Sequence, residues 1–235
     1  MNNKVIGIIG GMGPEATANL FMKIIKATEV KEEQEHFRVV IDSNPKIPDR
    51  TKAILGKGES PVNAIVDAAN NLDNAGVDIG CISCITAHYF YDEIQSQVPF
   101  KIINALEELN LHLKNNYPNI KNIGILATTG TVRVDLFNKY LTDFNVIYPD
   151  KCTQSKKVME AIYGKSGIKK GNTGEKNLNL LVEATEELMD KGAELIIGGC
   201  TEITLVLKPN NISKPLIDPM DVLAESVVNR YGSGF

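Results

Sequence analysis

Two cysteines occupy matching positions in the chain and have the side chains best suited to chemistry. Cys84 and Cys200 each end a short apolar run, with a leucine twelve residues earlier, a glycine eight residues earlier and a threonine soon after (Leu72, Gly76 and Thr86; Leu188, Gly192 and Thr201). Two such groups can work as a thiolate base and a thiol acid on opposite faces of one carbon. Inversion of a carbon stereocentre is the foremost reaction that needs this pair.

The cysteines belong to a longer repeat. Ile6-Gly7-Ile8-Ile9 with Gly13 returns as Ile123-Gly124-Ile125-Leu126 with Gly130, an offset of 117 residues (123 − 6), and the cysteine offset is 116 residues (200 − 84). We therefore predict an internal duplication with halves related by a pseudo-twofold axis, which would bring the thiols to opposite sides of one cleft. The alternative is that each cysteine is a small buried core residue at a strand end.

Eight β-rich apolar runs alternate with segments of helical periodicity. The runs show little polar alternation, as expected for parallel strands covered on both faces; they lie at Val5–Ile9, Arg38–Ile41, Val77–Ser83, Lys101–Ile103, Ile123–Ala127, Asn145–Tyr148, Ala193–Gly198 and Pro215–Ile217. The pattern predicts an α/β fold of two similar doubly wound parallel-sheet domains, with ligands at the carboxyl ends of the strands.

The duplication sets the expected domains. We assign residues 1–100 together with 212–235 to an N-terminal α/β domain carrying Cys84, and residues 101–211 to a C-terminal α/β domain carrying Cys200. The last stretch, Pro219–Tyr231, is predicted to be a helix that returns to the first half. Apolar residues at helical spacing stop before Gly76 and before Gly192, so both glycines are predicted C-terminal caps.

Cys84 and Cys200 each precede a predicted helix start, where the backbone amides at the helix end would favour the thiolate. His88, four residues after Cys84, and Glu202, two after Cys200, are candidates for tuning the thiol pKa values. His88 is equally compatible with a structural role at the strand end. Cys81 and Cys84 form a Cys-x-x-Cys motif, but no second pair exists and Cys81 falls inside a predicted strand, so we predict neither a metal nor a redox site.

In each half, one turn rich in small residues follows the first strand: a glycine-rich turn in the first half and a threonine-rich turn in the second. Gly10-Gly11-Met12-Gly13-Pro14-Glu15 lacks the last glycine of the dinucleotide fingerprint, so Met12 and Gly13 are predicted to border a carboxylate site in preference to a nucleotide site. Thr128-Thr129-Gly130-Thr131 offers hydroxyls and amides for the same purpose. Arg50 follows a loop that two prolines stiffen, and its guanidinium is suited to bind a carboxylate. A solvated arginine is the simpler interpretation. Lys169 is ambiguous in the same way, with adjacent Lys170 as an alternative.

Composition narrows the class of protein. The 235 residues are 43% hydrophobic and carry a formal net charge of −4, which argues against sequence-independent nucleic-acid binding. No apolar run reaches the roughly 18 residues that would span a bilayer. Four irregularly spaced cysteines are typical of reduced thiols. We expect a cytoplasmic protein without membrane partners.

Six motifs together resemble the aspartate/glutamate racemase superfamily, in particular the aspartate racemases that work without pyridoxal phosphate. They span nearly the whole chain: Ile6–Thr17, Asp42–Thr51, Cys84–Tyr89, Leu126–Thr131, Gly199–Ile203 and Pro215–Pro219. The resemblance implies a cofactor-independent racemase that interconverts L- and D-aspartate, often as a homodimer. It also implies site roles: Cys84 and Cys200 as the catalytic pair, Arg50 and Lys169 on the side-chain carboxylate, and Met12, Thr86, Thr129 and Thr201 around the α-carboxylate and amino group.

One residue departs from this resemblance. The first cysteine motif of the family reads Cys-Asn-Thr, whereas Ile85 stands at the asparagine position here. Loss of one polar contact to a charged substrate would cost on the order of 1 kcal/mol or more. The change is compatible with a slower racemase, a shifted substrate or a substitution introduced to trap a ligand. A decarboxylase or another isomerase, and a dicarboxylate-binding protein with weak activity, are the alternative functions.

Overall fold

The computed structural model describes residues 4–232 and divides the chain into two compact units. The first unit comprises Met1–Leu109 and Met220–Phe235, and the second comprises Asn110–Pro219. Within the described residues each unit contains one four-stranded parallel sheet. The strands are β1 (Val5–Gly10), β2 (Arg38–Ser43), β3 (Ile79–Ile82), β4 (Lys101–Ile103), β5 (Asn122–Leu126), β6 (Asn145–Ile147), β7 (Leu195–Gly198) and β8 (Leu216–Ile217).

The two sheets share one topology. The strand order is β2-β1-β3-β4 in the first unit and β6-β5-β7-β8 in the second, and all six pairings are parallel. This confirms the predicted α/β class with two similar parallel sheets. One detail differs from the expectation of strands covered on both faces: β2 lies at the edge of its sheet, and each of its residues is at least partly exposed.

The predicted domain boundaries need correction. They assigned residues 101–103 to the second domain and residues 212–217 to the first. Instead, β4 pairs with β3 in the first sheet and β8 pairs with β7 in the second, so the chain crosses between units after Leu109 and after Pro219. The physical reason is that each sheet completes its fourth strand, and thereby satisfies the backbone of its third, before the chain leaves the unit.

Helices connect the strands in both units. The α-helices are α1 (Pro14–Ala27), α2 (Arg50–Ile54), α3 (Val62–Asn74), α4 (Tyr91–Gln95), α5 (Ala105–Asn116), α6 (Thr129–Arg133), α7 (Leu136–Tyr140), α8 (Lys151–Thr153), α9 (Met159–Tyr163), α10 (Glu175–Asp190), α11 (Ile203–Val206) and α12 (Pro219–Gly232). A π-helical turn, Gln154–Val158, joins α8 to α9. Short 3₁₀ helices occupy Glu33–Glu35, Ile85–Phe90, Ile168–Lys170 and Pro209–Asn211. Within residues 4–232, every helix is too short or too polar to traverse a bilayer.

The predicted glycine caps are confirmed in both units. Gly76 follows α3 with φ of 79°, and Gly192 follows α10 with φ of 92°. In each case the next residue donates its backbone N–H to a leucine carbonyl inside the helix, Val77 to Leu72 at 3.2 Å and Ala193 to Leu188 at 3.0 Å. This left-handed closure turns the chain sharply into β3 and β7, the two strands that lead to the cysteines.

The C-terminal helix belongs to the first unit, as the sequence predicted. In α12, Asp221 forms an ion pair with Lys23 of α1, and Arg230 forms one with Glu108 of α5. Its apolar face is buried through Val222, Leu223 and Val227. The first unit is therefore built from two stretches of sequence separated by the whole of the second.

Candidate functional site

Cys84 lies two residues beyond β3, at the carboxyl end of the first sheet. It is buried, with 6% of its surface exposed, and it is the residue that precedes the 3₁₀ helix Ile85–Phe90. A helix does begin after this cysteine, but it is a 3₁₀ helix, continued by α4. Ile85 and Thr86 are also buried, at 1% and 5% exposed. The strand end therefore presents three consecutive buried side chains, those of Cys84, of Ile85 at the position of the family's asparagine, and of Thr86.

His88 holds the backbone at Cys84 and does not bond its thiol. The ring Nδ1 lies 3.0 Å from the carbonyl oxygen of Cys84, and Nε2 accepts the backbone N–H of Ala105 at 3.1 Å. Since Nε2 is an acceptor, Nδ1 carries the proton and the ring is neutral. Burial is the main cause that lowers the pKa of His88 to about 4. A neutral imidazole fixes the strand end but adds no positive charge beside the thiol.

Arg50 is buried and turned toward the end of β1, which excludes the solvated interpretation. Its guanidinium donates to the carbonyl oxygens of Met12 at 3.1 Å, Pro48 at 3.0 Å and Ile47 at 3.3 Å. These three acceptors are backbone carbonyls, and they orient the guanidinium. Arg50 begins α2, whose preceding residue Asp49 caps the helix by accepting the N–H of Lys52 at 2.8 Å. The structure thus brings Met12 and Arg50 together.

The glycine-rich turn after β1 is held by a hydroxyl network. The N–H of Gly11 donates to Thr17 Oγ1 at 2.9 Å, and that hydroxyl also contacts the carbonyl oxygen of Gly13 and Ser83 Oγ, both at 2.9 Å. Gly11 has φ of 89°, and a Cβ there would lie 2.3 Å from the Asn44 backbone. The Gly11 amide is therefore used internally and not offered to an anion, while Gly13 begins α1 as its N-terminal cap.

Cys200 lies two residues beyond β7, the equivalent place in the second unit, but its surroundings are ionic. Its thiol donates to Glu202 Oε2 at 2.9 Å, and Thr201 Oγ1 donates to the same oxygen at 3.2 Å. The other carboxylate oxygen, Oε1, accepts from Lys169 Nζ at 2.6 Å. Lys169 also lies 5.5 Å from the centre of the Tyr163 ring. A thiol, a carboxylate and an ammonium group thus form one chain of contacts.

Burial and charge set the protonation of this chain. Burial, followed by the negative charge of Glu202, raises the pKa of Cys200 well above its ordinary value, and Lys169 offsets this only in part. Burial also pushes the pKa of Glu202 upward, but the charge of Lys169 and the hydrogen bonds from Cys200 and Lys169 outweigh it and leave that pKa lowered. A backbone amide, that of Glu202, does favour the thiolate of Cys200 as expected, but burial and the Glu202 charge outweigh it, so Cys200 is a protonated thiol bonded to a carboxylate.

The threonine-rich turn after β5 holds the remaining predicted residue, Thr129. Thr128 caps α6 by accepting the N–H of Thr131 at 3.4 Å, and the N–H of Thr129 points to Met159 Sδ at 3.2 Å. Gln154 Nε2 donates to the carbonyl oxygen of Ala127 at 2.9 Å and reaches Thr129 Oγ1 at 3.4 Å. Gln154 was missed because a single glutamine in a helical segment gives no sequence signal.

Cys81 takes no part in either cluster. It lies in β3, is completely buried and contacts the carbonyl oxygen of Gly7 at 3.5 Å, and burial raises the pKa of its thiol to about 12. It is a core residue, as its position in the strand predicted. Among the described residues, no group of three or more His, Cys, Asp or Glu side chains is arranged to hold a metal ion. Lys170, the alternative to Lys169, contacts the carbonyl oxygen of Lys165 instead.

A family model and a curated relative both indicate that the chain is similar to amino-acid racemases. The family model described as Asp/Glu/Hydantoin racemase matches residues 9–227. The broad specificity amino-acid racemase RacX of Bacillus subtilis (strain 168) is 29% identical over 233 residues, which cover 97% of this chain and 98% of RacX.

Solved structures extend the likeness to the fold. Picrophilus torridus aspartate racemase is 27% identical with a TM-score of 0.81, and the match covers 97% of this chain and 94% of that one. A glutamate racemase from Francisella tularensis, solved with D-glutamate, has a TM-score of 0.69 at 16% identity and covers 99% of this chain and 82% of that one. The second likeness concerns the fold alone.

Proposed function

This chain belongs to the Asp/Glu/hydantoin racemase family and is an amino-acid racemase, and on that premise we propose that it interconverts L- and D-aspartate with Cys84 and Cys200 as the two acid–base groups. The observation that carries the proposal is the equivalent position of the two thiols, each two residues beyond the third strand of its sheet. As the family resemblance implies, no cofactor takes part.

The proposed reaction removes the α-proton from one face of the substrate and adds a proton to the opposite face. The Cys84 thiolate removes the α-proton, and the Cys200 thiol delivers its own proton to the opposite face of the same carbon. Afterwards Cys84 is a thiol and Cys200 a thiolate, so the other enantiomer reacts with the roles exchanged. The mechanism requires both sulfurs to reach one α-carbon from opposite sides.

Glu202 gives Cys200 the properties that an acid in this cycle needs. Its carboxylate keeps the thiol protonated and oriented through the 2.9 Å bond, and Lys169 holds the carboxylate from the other side. Once Cys200 has given up its proton, the adjacent negative charge makes the thiolate a stronger base, which favours recovery of the proton in the reverse direction. Thr201 donates to the same carboxylate and fixes its plane.

Arg50 supports an acidic substrate, because its charge is buried and oriented at the end of β1. Lys169 complicates this assignment, since the ion pair with Glu202 already balances its charge. That ion pair, together with apolar Ile85, supports a second candidate: a racemase whose substrates include amino acids with uncharged side chains. Met12, Gly13, Thr86 and Thr129 complete the proposed substrate contacts.

Proton NMR of L- and D-aspartate in D₂O under reducing conditions tests the proposal. We expect the α-proton signal to disappear and optical activity to decay with the wild type, while Cys84→Ala and Cys200→Ala lose racemisation by about 100- to 10,000-fold. Parallel runs with L-glutamate, L-asparagine and L-alanine separate the two candidates. Racemisation that survives either cysteine substitution would refute the two-thiol mechanism, and exchange restricted to neutral amino acids would refute aspartate.

The compartment and assembly follow from the same proposal. Both thiols must be reduced to work, and all four cysteines of the chain are unpaired with one another, which supports a reducing compartment such as the cytoplasm. Homodimer formation rests on the family resemblance and is tested by measuring the mass of the protein in solution by light scattering.

A further inference from the structure

Gln154 carries a buried acceptor that nothing in its own unit uses. The side chain is 6% exposed, and its Nε2 donates to Ala127 at 2.9 Å and reaches the Thr129 hydroxyl at 3.4 Å. The bond to a carbonyl oxygen fixes which end of the amide is nitrogen, so the other end is the carbonyl oxygen Oε1. Among the described residues, Oε1 is buried without a hydrogen-bond partner.

The location of this acceptor points to a ligand. Ala127 and Thr129 follow β5, and ligands of parallel α/β sheets gather beyond the carboxyl ends of the strands. Gln154 also opens the π-helical turn Gln154–Val158, a rare conformation that occurs frequently at functional sites. A buried amide oxygen without a partner destabilises the fold, so a fold retains one where something else supplies the hydrogen-bond donor.

An amino-acid substrate offers few hydrogen-bond donors that Gln154 Oε1 could accept from. Its α-carboxylate and the side-chain carboxylate of aspartate only accept hydrogen bonds, and the ammonium group is the only strong donor that every member of the substrate class carries. We propose that Gln154 Oε1 accepts a hydrogen bond from the α-ammonium group of the substrate beside Thr129, and so selects amino acids over the corresponding acids. This inference rests on the proposed function and deepens it by naming the group that recognises the amine.

A neutral acceptor suits this reaction better than a carboxylate would. The positive charge of the ammonium group makes the neighbouring α-proton more acidic, and an amide oxygen holds the group without neutralising that charge. Met159 Sδ, at 3.2 Å from the Thr129 N–H, is a weak acceptor that a substrate carboxylate oxygen can replace. The turn after β5 thus offers a donor for the α-carboxylate next to an acceptor for the ammonium group.

Calorimetric binding of L-aspartate and of succinate, which is aspartate without its amino group, tests the inference. Gln154→Met has a similar length without the amide, and we expect it to weaken aspartate binding about 10-fold or more while succinate binding changes less than about 2-fold. Gln154→Glu keeps an acceptor at Oε1 and is expected to retain the preference for aspartate. A matched control is Gln95→Met in the first unit, where Gln95 Nε2 donates to Phe100 and Oε1 accepts from Ile102; it should leave the ratio of the two affinities unchanged.

The outcomes separate the inference from the proposed function. Equal weakening of aspartate and succinate binding by Gln154→Met, or no change in either, would overturn the role of Gln154 even if the wild type racemises aspartate. Binding of aspartate without α-proton exchange by the wild type would overturn the proposed function, and the affinity ratio of the variants would still decide the role of Gln154. A wild type that binds neither ligand would overturn both.

Discussion

The surroundings of Cys84 and Cys200 differ although their places in the two sheets are the same. Cys84 has a neutral imidazole bonded to its backbone carbonyl, whereas the thiol of Cys200 itself bonds a carboxylate that is paired with Lys169. The duplicated topology therefore preserved position and not electrostatics. In the proposed mechanism one thiol accepts a proton and the other donates one, and this requires accessible protonation states at both sulfurs but not matching environments.

The largest expected effect comes from removing the charge next to Cys200. Burial is the main cause that raises the pKa of this thiol, and the Glu202 carboxylate raises it further, so Glu202→Gln should lower the pKa and remove the acceptor that orients the thiol. We expect racemisation to slow on the order of 100-fold. The pH dependence of iodoacetamide labelling, followed by mass spectrometry for each cysteine, should shift to lower pH at Cys200 alone.

Glu183→Gln is the matched control for that experiment. Glu183 is an exposed carboxylate of the same unit, paired with Lys157 at 3.0 Å. It should leave both the rate and the labelling profile unchanged. An unaltered Cys200 profile in Glu202→Gln would contradict the assigned role of the carboxylate.

The buried His88 of the first unit should make the free energy of unfolding depend on pH. Its pKa is about 4 in the folded chain, against an ordinary value of 6.5. Between these values the unfolded chain binds one more proton than the folded chain, so the contribution is full above pH 6.5 and falls by about 3 kcal/mol as the pH drops to 4. Urea unfolding at pH 7 and pH 4.5 should show this loss in the wild type and much less of it in His88→Gln.

The control for this prediction is His36, another histidine of the first unit, which lies just before β2. His36→Gln should reproduce the dependence of the unfolding free energy on pH seen in the wild type. If His88→Gln and the wild type lose the same unfolding free energy between the two pH values, the buried neutral state of His88 is disproved.

The two glycine caps offer a comparison in which the units should behave alike. Gly76 and Gly192 both have positive φ, and an added Cβ would meet no atom within 4 Å at either position. Gly76→Ala and Gly192→Ala should each cost about 1–2 kcal/mol from backbone conformation alone. Thermal unfolding of the two variants measures this, and a much larger cost at one position would show that the caps are not equivalent.

The smallest effect is expected at Ile85, which is 1% exposed. Ile85→Asn restores an amide beside Cys84, and we expect KM for aspartate to fall several-fold, in line with about 1 kcal/mol for one polar contact. Steady-state kinetics for both enantiomers measures it, with Ile85→Val as the apolar control. A rise in KM together with lower stability would indicate that Ile85 serves core packing and not substrate contact.

Short sequence patterns predicted the strands and the helix caps, because both depend mainly on neighbouring residues in the chain. Apolar runs identified all eight strands to within two residues at each end, and helical spacing followed by glycine identified the caps at Gly76 and Gly192. The placement of β4 and β8 was wrong because strand pairing is a choice between distant partners, and an apolar run of two or three residues carries no information about which sheet it joins.

The sequence predicted where the candidate site residues lie in the fold, but it did not predict what they contact. Cys84 and Cys200 follow from repeat spacing, and Arg50 from its place after β2. The bond from Cys200 to Glu202 depends on side-chain rotamers. The ion pair of Glu202 with Lys169 and the bond of Gln154 to Ala127 also join residues that are 33 and 27 positions apart. Residue type and spacing do not determine such choices.

The return of α12 to the first unit affects the order in which the chain can fold during synthesis. Asn110–Pro219 is polymerised in full before Met220–Phe235 exists, so the second unit has all its residues while the first still lacks its last helix. The first unit must then close a loop that contains the whole of the second unit, and the entropic cost of closing a loop rises only slowly with its length. An insertion of this length therefore adds little to the free-energy cost of folding the first unit.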